Sequence, residues 1–267
     1  ARQAASTLDR RRVASPAQPL SPGDPWRGRA AMRSLAISCI LTLAATAVLV
    51  TGVVLWSAAE SDRSAKARFA QKVAYAISQG LDKIPYDQES VANWDDAVIN
   101  ARTRFNAAWV DVNLGVWMYD YFQHDRVKIL DANNEILYAM ADGKRIPTLD
   151  RRAPPVVAAL AGEVRGKIAN GALEDYAQGK TRIPRAVDIG MVEQRPAIVS
   201  VMPLLPHSSA VTQEKGTESL IASVRFLDSS FLTSLEKALL LDGIRYTRED
   251  VGRSYEQSHP IESRSGA

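Results

Sequence analysis

The residues best suited to chemistry lie close together, between Trp94 and Tyr121. Val91, Trp94, Val98, Ala101 and Phe105 recur at helical spacing and form an apolar stripe. Asp95 follows Trp94, about 100° around the same helix, at the edge of that stripe. A carboxylate there is placed to receive a cationic or hydroxylated ligand beside the indole. Two structural roles compete: an ion pair with Arg102, or completion of a helix N-terminus, where negative charge is favoured. Asn113-Leu114-Gly115 reads as a helix-ending turn in which Gly115 supplies a positive φ, with Asn113 bonding either loop backbone or ligand. Trp117, Tyr119 and Tyr121 read either as pocket lining or as core. The expected ligand-site residues are therefore Trp94, Asp95, Asn113, Trp117 and Tyr119.

Other chemistries find little support. His124, His207 and His259 stand apart from any Cys or carboxylate at metal-ligand spacing. Neither a G-x-S-x-G elbow nor a phosphate-cradling glycine loop is present. The expectation is a chain that is not an enzyme, with no catalytic residue, no metal and no cofactor. Its pI near 9.0 is misleading about partners. Residues 1–33 hold seven Arg against two Asp, which leaves 26 basic and 28 acidic residues in the remainder. A near-neutral remainder lacks the basic face that phosphate neutralisation requires, so nucleic acid is excluded as a partner.

The elements that must position these residues begin with an apolar run. From Ser34 to Ala59 there is no charge. At about 1.5 Å per residue, such a helix spans a hydrocarbon core of roughly 30 Å. Trp56 at its far end suits the interface, and the Arg excess before the run places the N-terminus in the cytoplasm and everything after residue 60 outside. A cleaved signal peptide, cut near Ser57-Ala58-Ala59, is the competing reading. Ser38, Thr42 and Thr46 share one face, and small residues at that spacing permit close helix approach, hence a homodimer as a possible assembly. The sole cysteine, Cys39, lies in the same run.

Four regions follow. Residues 1–33 form a basic, disordered cytoplasmic segment, with Met32 as an alternative start that would make the residues before it non-native. Residues 34–59 form the transmembrane helix. Residues 60–246 form an extracytoplasmic domain that opens with a helical stalk over 62–84, carried by Phe69, Val73, Ile77, Leu81 and Ile84. Residues 247–267 form a polar segment that stops without a closing element. Within the domain, Ser90 or Asn93 is the expected cap of a second helix, with Asp96 completing a capping box on Asn93. A third helical stretch covers 107–123. The period then changes to two: a hairpin turns at Asp131–Asn134, a helix spans 156–165, and strands cover 185–192, 197–204 and 219–226. A last helix is capped by Asp228 or Ser229, and a strand is expected near 240–246. The fold class is α+β, a PAS- or Cache-like antiparallel sheet of about five strands flanked by helices.

Trp94-Asp95-Asp96-Ala97-Val98, then Asn113-Leu114-Gly115, then Leu130-Asp131 with Ile136-Leu137-Tyr138, form an ordered series. The series resembles the CHASE type 4 family, extracytoplasmic sensor domains of bacterial signalling proteins. The likeness covers roughly 60–267 and is strongest over 90–142. It implies an unknown small-molecule ligand and a cytoplasmic GGDEF, EAL or kinase module that this chain does not contain. A further strand pair and a second membrane helix usually close the family's pattern and are not in this sequence, which reads as truncation. The expected function is thus the ligand-sensing domain of a receptor in the inner membrane, in contact with lipid. A membrane-anchored periplasmic binding module without signalling output is the alternative.

Overall fold

A computed structural model describes residues 25–228, 230–240, 243–247, 260, 261 and 263, with side chains placed from Met32 onward. The basic segment before residue 25, Ser229 and most of the tail after residue 247 lie outside the described residues. The chain divides into two compact units, residues 1–63 and 64–267.

In the first unit every described residue is helical. This is the start of α1, Pro25–Ala92, which contains a stretch long and apolar enough to cross a membrane. Its apolar side chains from Leu35 to Leu55 are exposed, and Trp56 with them. Thr42 donates to the Ser38 and Cys39 carbonyls and Thr46 to that of Thr42. The two threonine hydroxyls on the small-residue face are therefore satisfied within their own helix.

The second unit is built on one six-stranded antiparallel sheet. Its strands are β1 Arg126–Leu130, β2 Ile136–Ala141, β3 Lys144–Arg145, β4 Ala186–Val192, β5 Arg195–Pro203 and β6 Leu220–Phe226, in the order β3-β2-β1-β6-β5-β4. The first and last long strands thus meet in the middle. Period-two alternation gives both faces apolar side chains. Val127, Ile129, Tyr138, Met140, Met202 and Ile221 face a layer of α1, α2 (Asp95–Val98), α3 (Ala107–Val110) and α4 (Trp117–Phe122). Val199, Val201, Ala222, Val224 and Phe226 face α5, Pro155–Ala169, which links the two halves of the sheet. A third cluster joins Val73, Ile77 and Ile84 of α1 to Ile189 and Ile198, flanked by Phe231 and Leu239 of α7, Ser230–Leu239.

Both sheet edges are distinctive. β3 is two residues long, and both of them are exposed cations. On β4, the opposite edge, the buried carboxylate of Asp188 accepts the Ile189 backbone N–H. The β4–β5 hairpin turns through Glu193 and Gln194, both at positive φ, 51° and 60°, as a two-residue primed turn demands. Arg126 clamps Glu193 with two 2.9 Å hydrogen bonds.

Several expectations are corrected. The stalk helix does not end at Ile84 but continues through Pro85 to Ala92. A proline in a helix interior costs about 3 kcal/mol, while burial of Ile84 and Val91 contributes roughly 1.5–3 kcal/mol each. Packing therefore outweighs the break. The Asn93 capping box does not form: Asn93 bridges to Leu205, and Trp94 occupies the cap position of α2. Asn113-Leu114-Gly115 is not a helix end, because it lies inside a π-helical segment, Asp111–Val116, between α3 and α4. The helix ends instead at Gln123, φ 58°. Helix α5 runs on to Ala169, and a further helix, α6, Ala172–Ala177, stands between it and the strand that begins at Ala186. The carboxylate of Asp228 receives the Arg195 guanidinium. No strand appears in residues 243–247.

Candidate functional site

Asp95, the first residue of α2, aims its carboxylate at the loop that follows β5. One oxygen accepts the backbone N–H groups of His207 (2.7 Å) and Ser208 (3.0 Å), and the other accepts the Ser208 hydroxyl. These donors, the Ser208 hydroxyl first, hold its carboxyl below the usual carboxylate range. The expected ion pair to Arg102 is not made, since Arg102 donates to Thr217. Beside Asp95, the Leu205 N–H donates to the Ala92 carbonyl (2.7 Å) and the Trp94 N–H to the Leu205 carbonyl (3.0 Å). With the 3.4 Å hydrogen bond between the Asn93 amide and the His207 ring, the end of α1 and the start of α2 are strapped to the 205–208 loop by six hydrogen bonds, three of them to Asp95. Trp94 backs this strap by packing on Trp109, ring centroids 4.9 Å apart.

The strapped loop is one wall of a cleft of about 260 Å³. Leu205 and Pro206 supply that wall, Leu173, Glu174 and Ala177 of α6 supply another, and Gln213, Lys215 and Glu218 close it. Glu218 is buried; it accepts the Gly216 N–H (2.9 Å) and pairs with Arg165 at 3.4 Å. At the solvent side Lys215 and Glu174 form an ion pair of 2.6 Å, both about half exposed. That contact, the Lys215 hydrogen bond above all, lowers the Glu174 carboxyl. Gln213 also lines the cleft, and its side-chain nitrogen and oxygen are both buried without a partner among the described residues. A buried polar group left unbonded costs about 1–3 kcal/mol, so the 213–218 loop holds this amide in place at a cost.

Of the five residues expected from sequence, Trp94 and Asp95 stand together behind the cleft wall. The other three lie elsewhere. Asn113 donates to the Trp109 carbonyl at 2.9 Å. Trp117 is partly exposed and stacks on Tyr121 at 4.2 Å. Tyr119 packs against Gly143 beyond β2. The cleft residues of α6 and of the 213–218 loop gave no sequence signal, because polar residues in a loop look alike whether or not they line a cavity. Among the described residues no group of three His, Cys, Asp or Glu side chains is arranged to hold a metal ion.

A second polar cluster lies between α1 and the sheet. Asp87, Gln88, His124, Ser200 and Ser223 are all buried. Gln88 donates to the Ser200 and Ile221 carbonyls at 3.2 Å each. Lys83 donates to Asp87 at 2.7 Å, and the His124 ring sits 3.6 Å from the same carboxylate. Burial pushes His124 below its ordinary range, and the neighbouring Asp87 only partly opposes it. For Asp87, burial acts upward, but His124 and Lys83 outweigh it and the carboxyl is held low.

The model of the CHASE4 domain family matches residues 76–247. A crystal structure of a domain of a sensory box/GGDEF family protein from Vibrio parahaemolyticus is similar at 11% identity and a TM-score of 0.39, over 64% of this chain and 62% of that one. No curated protein matches the chain.

Proposed function

Because the chain belongs to the CHASE4 domain family, we propose that it is the extracytoplasmic ligand-sensing part of a bacterial receptor in the inner membrane. The observation that carries this reading is the strap between Ala92-Asn93-Trp94-Asp95 and the 205–208 loop. A cleft wall is thereby tied to the residues that end α1. An occupant that prefers one position of this wall shifts the population of that position, and α1 feels the change. The N-terminus lies in the cytoplasm in this reading, and the output is a cytoplasmic GGDEF, EAL or kinase module acting through cyclic di-GMP or phosphotransfer.

The test is amide hydrogen exchange on the full chain in detergent micelles, with and without the small-molecule fraction of spent growth medium. A sensor is expected to change protection both in the 205–218 loop and over residues 84–92. Changes confined to the loop would leave a membrane-anchored binding module, and no change at all would remove the ligand reading.

A further inference from the structure

The charges that line the cleft cancel. Glu218 is matched by Arg165 at the buried side and Glu174 by Lys215 at the solvent side. The two pairs differ in how easily they open. Glu218 is buried and also takes the Gly216 N–H, so removal of its partner would strand a buried charge, at several kcal/mol. The Glu174–Lys215 pair is half exposed, and such pairs contribute only about 0–1 kcal/mol. Its two ends belong to different walls, α6 and the 213–218 loop, so it closes the mouth and is the pair an incoming ligand displaces.

We propose that the cleft binds a small zwitterion of amino-acid size, whose carboxylate takes Lys215 and whose ammonium takes Glu174. The inference rests on the ligand-sensing reading and names the ligand class. A singly charged ligand would replace one member of the pair and leave the other charge without a partner in a partly enclosed site. An uncharged apolar ligand would gain nothing from either charge and would leave the ion pair in its way. A zwitterion restores both contacts. The cleft, about 260 Å³, has room for a ligand of amino-acid size. The apolar side group of such a ligand would rest on Leu173 and Leu205.

The experiment is calorimetric titration of the full chain in micelles with the common α-amino acids and glycine betaine. The best binder is then compared with two analogues, one lacking its ammonium and one lacking its carboxylate. Saturable binding of at least one zwitterion is expected, with each analogue weaker by about tenfold or more, the size of one lost charge-assisted hydrogen bond. Glu174→Gln and Lys215→Gln should each weaken the zwitterion by a similar factor while the melting temperature stays near that of the parent. If no zwitterion binds at millimolar concentration, or if an analogue with one charge binds equally well, the proposal is overturned. A positive hydrogen-exchange response to growth-medium molecules in that event would leave the sensing reading standing and discard only the ligand class.

Discussion

Gly115 sits where the helical layer packs tightly on the sheet. It is buried within a π-helical segment, and a Cβ built on it would collide with the Tyr138 hydroxyl and press on Met140. That hydroxyl donates to Asp111 at 3.0 Å, which together with burial pushes the phenol up. Gly115→Ala is therefore expected to destabilise the domain by about 1–3 kcal/mol through overpacking, read as a lower melting temperature. Unchanged stability would show that Tyr138 moves aside freely. The glycine was legible as special from sequence, but for the wrong reason: turn chemistry and close approach both favour Gly, and only the position of Tyr138 tells them apart. Asn113 carries a related lesson. It donates to the carbonyl four residues back, and Asn100 does the same to Asp96 in the other π-helical segment, Ile99–Thr103. Each widened turn thus has an Asn satisfying a backbone oxygen, a pairing invisible in a pattern of apolar spacing. Asp95 was legible as a special carboxylate, whereas its partners lie more than a hundred residues away in a loop with no pattern of its own.

Between α1 and the sheet, the buried polar cluster gives the joint a pH dependence whose sign follows from His124. Its folded-state pKa lies below the ordinary 6.5, so as pH falls through that value the unfolded chain takes up a proton that the folded chain refuses. The stability associated with neutral His124 is present above the ordinary His range and lost as pH falls below it, at about 1.4 kcal/mol per unit of depression. Asp87 acts in a separate, lower window, below its ordinary 3.8. The other charged groups facing the ring, Lys83 on α1 and Arg225 on β6, also disfavour a second positive charge there. The melting temperature of the parent chain should drop between pH 7 and pH 5, and that drop should be flatter in His124→Gln. Equal drops in both proteins would locate the acid sensitivity elsewhere. Sequence located the elements on either side of this joint through period 2 in the strands and period 3.6 in the stalk. It did not show that α1 passes Pro85, because a proline is a local signal and the burial that overrides it is supplied by β5 and β6.

At the scale of the molecule, the two units follow different rules. Within residues 64–267, one sheet with helices on both faces buries the apolar alternation that sequence displayed, which is why the α+β class was readable before any contact was known. Within the first unit, the side chains from Leu35 to Trp56 bury nothing among themselves and present a continuous apolar surface, far more than a soluble monomer exposes. The full chain is accordingly expected to stay in the membrane fraction after alkaline carbonate washing. Release into the supernatant would remove the anchor reading.

The ends of the sheet limit how copies of the domain can meet. Unpaired strand edges ordinarily invite a neighbour's strand. Here one end offers only Lys144 and Arg145, whose like charges repel their own copies, and the other end has its Ile189 N–H already taken by Asp188. A seventh strand would meet a charged two-residue stub at one end and an occupied N–H at the other. Edge-to-edge pairing of two such sheets is therefore disfavoured at both ends. The helical faces carry no such obstacle, which makes them the less obstructed route for two such domains to meet.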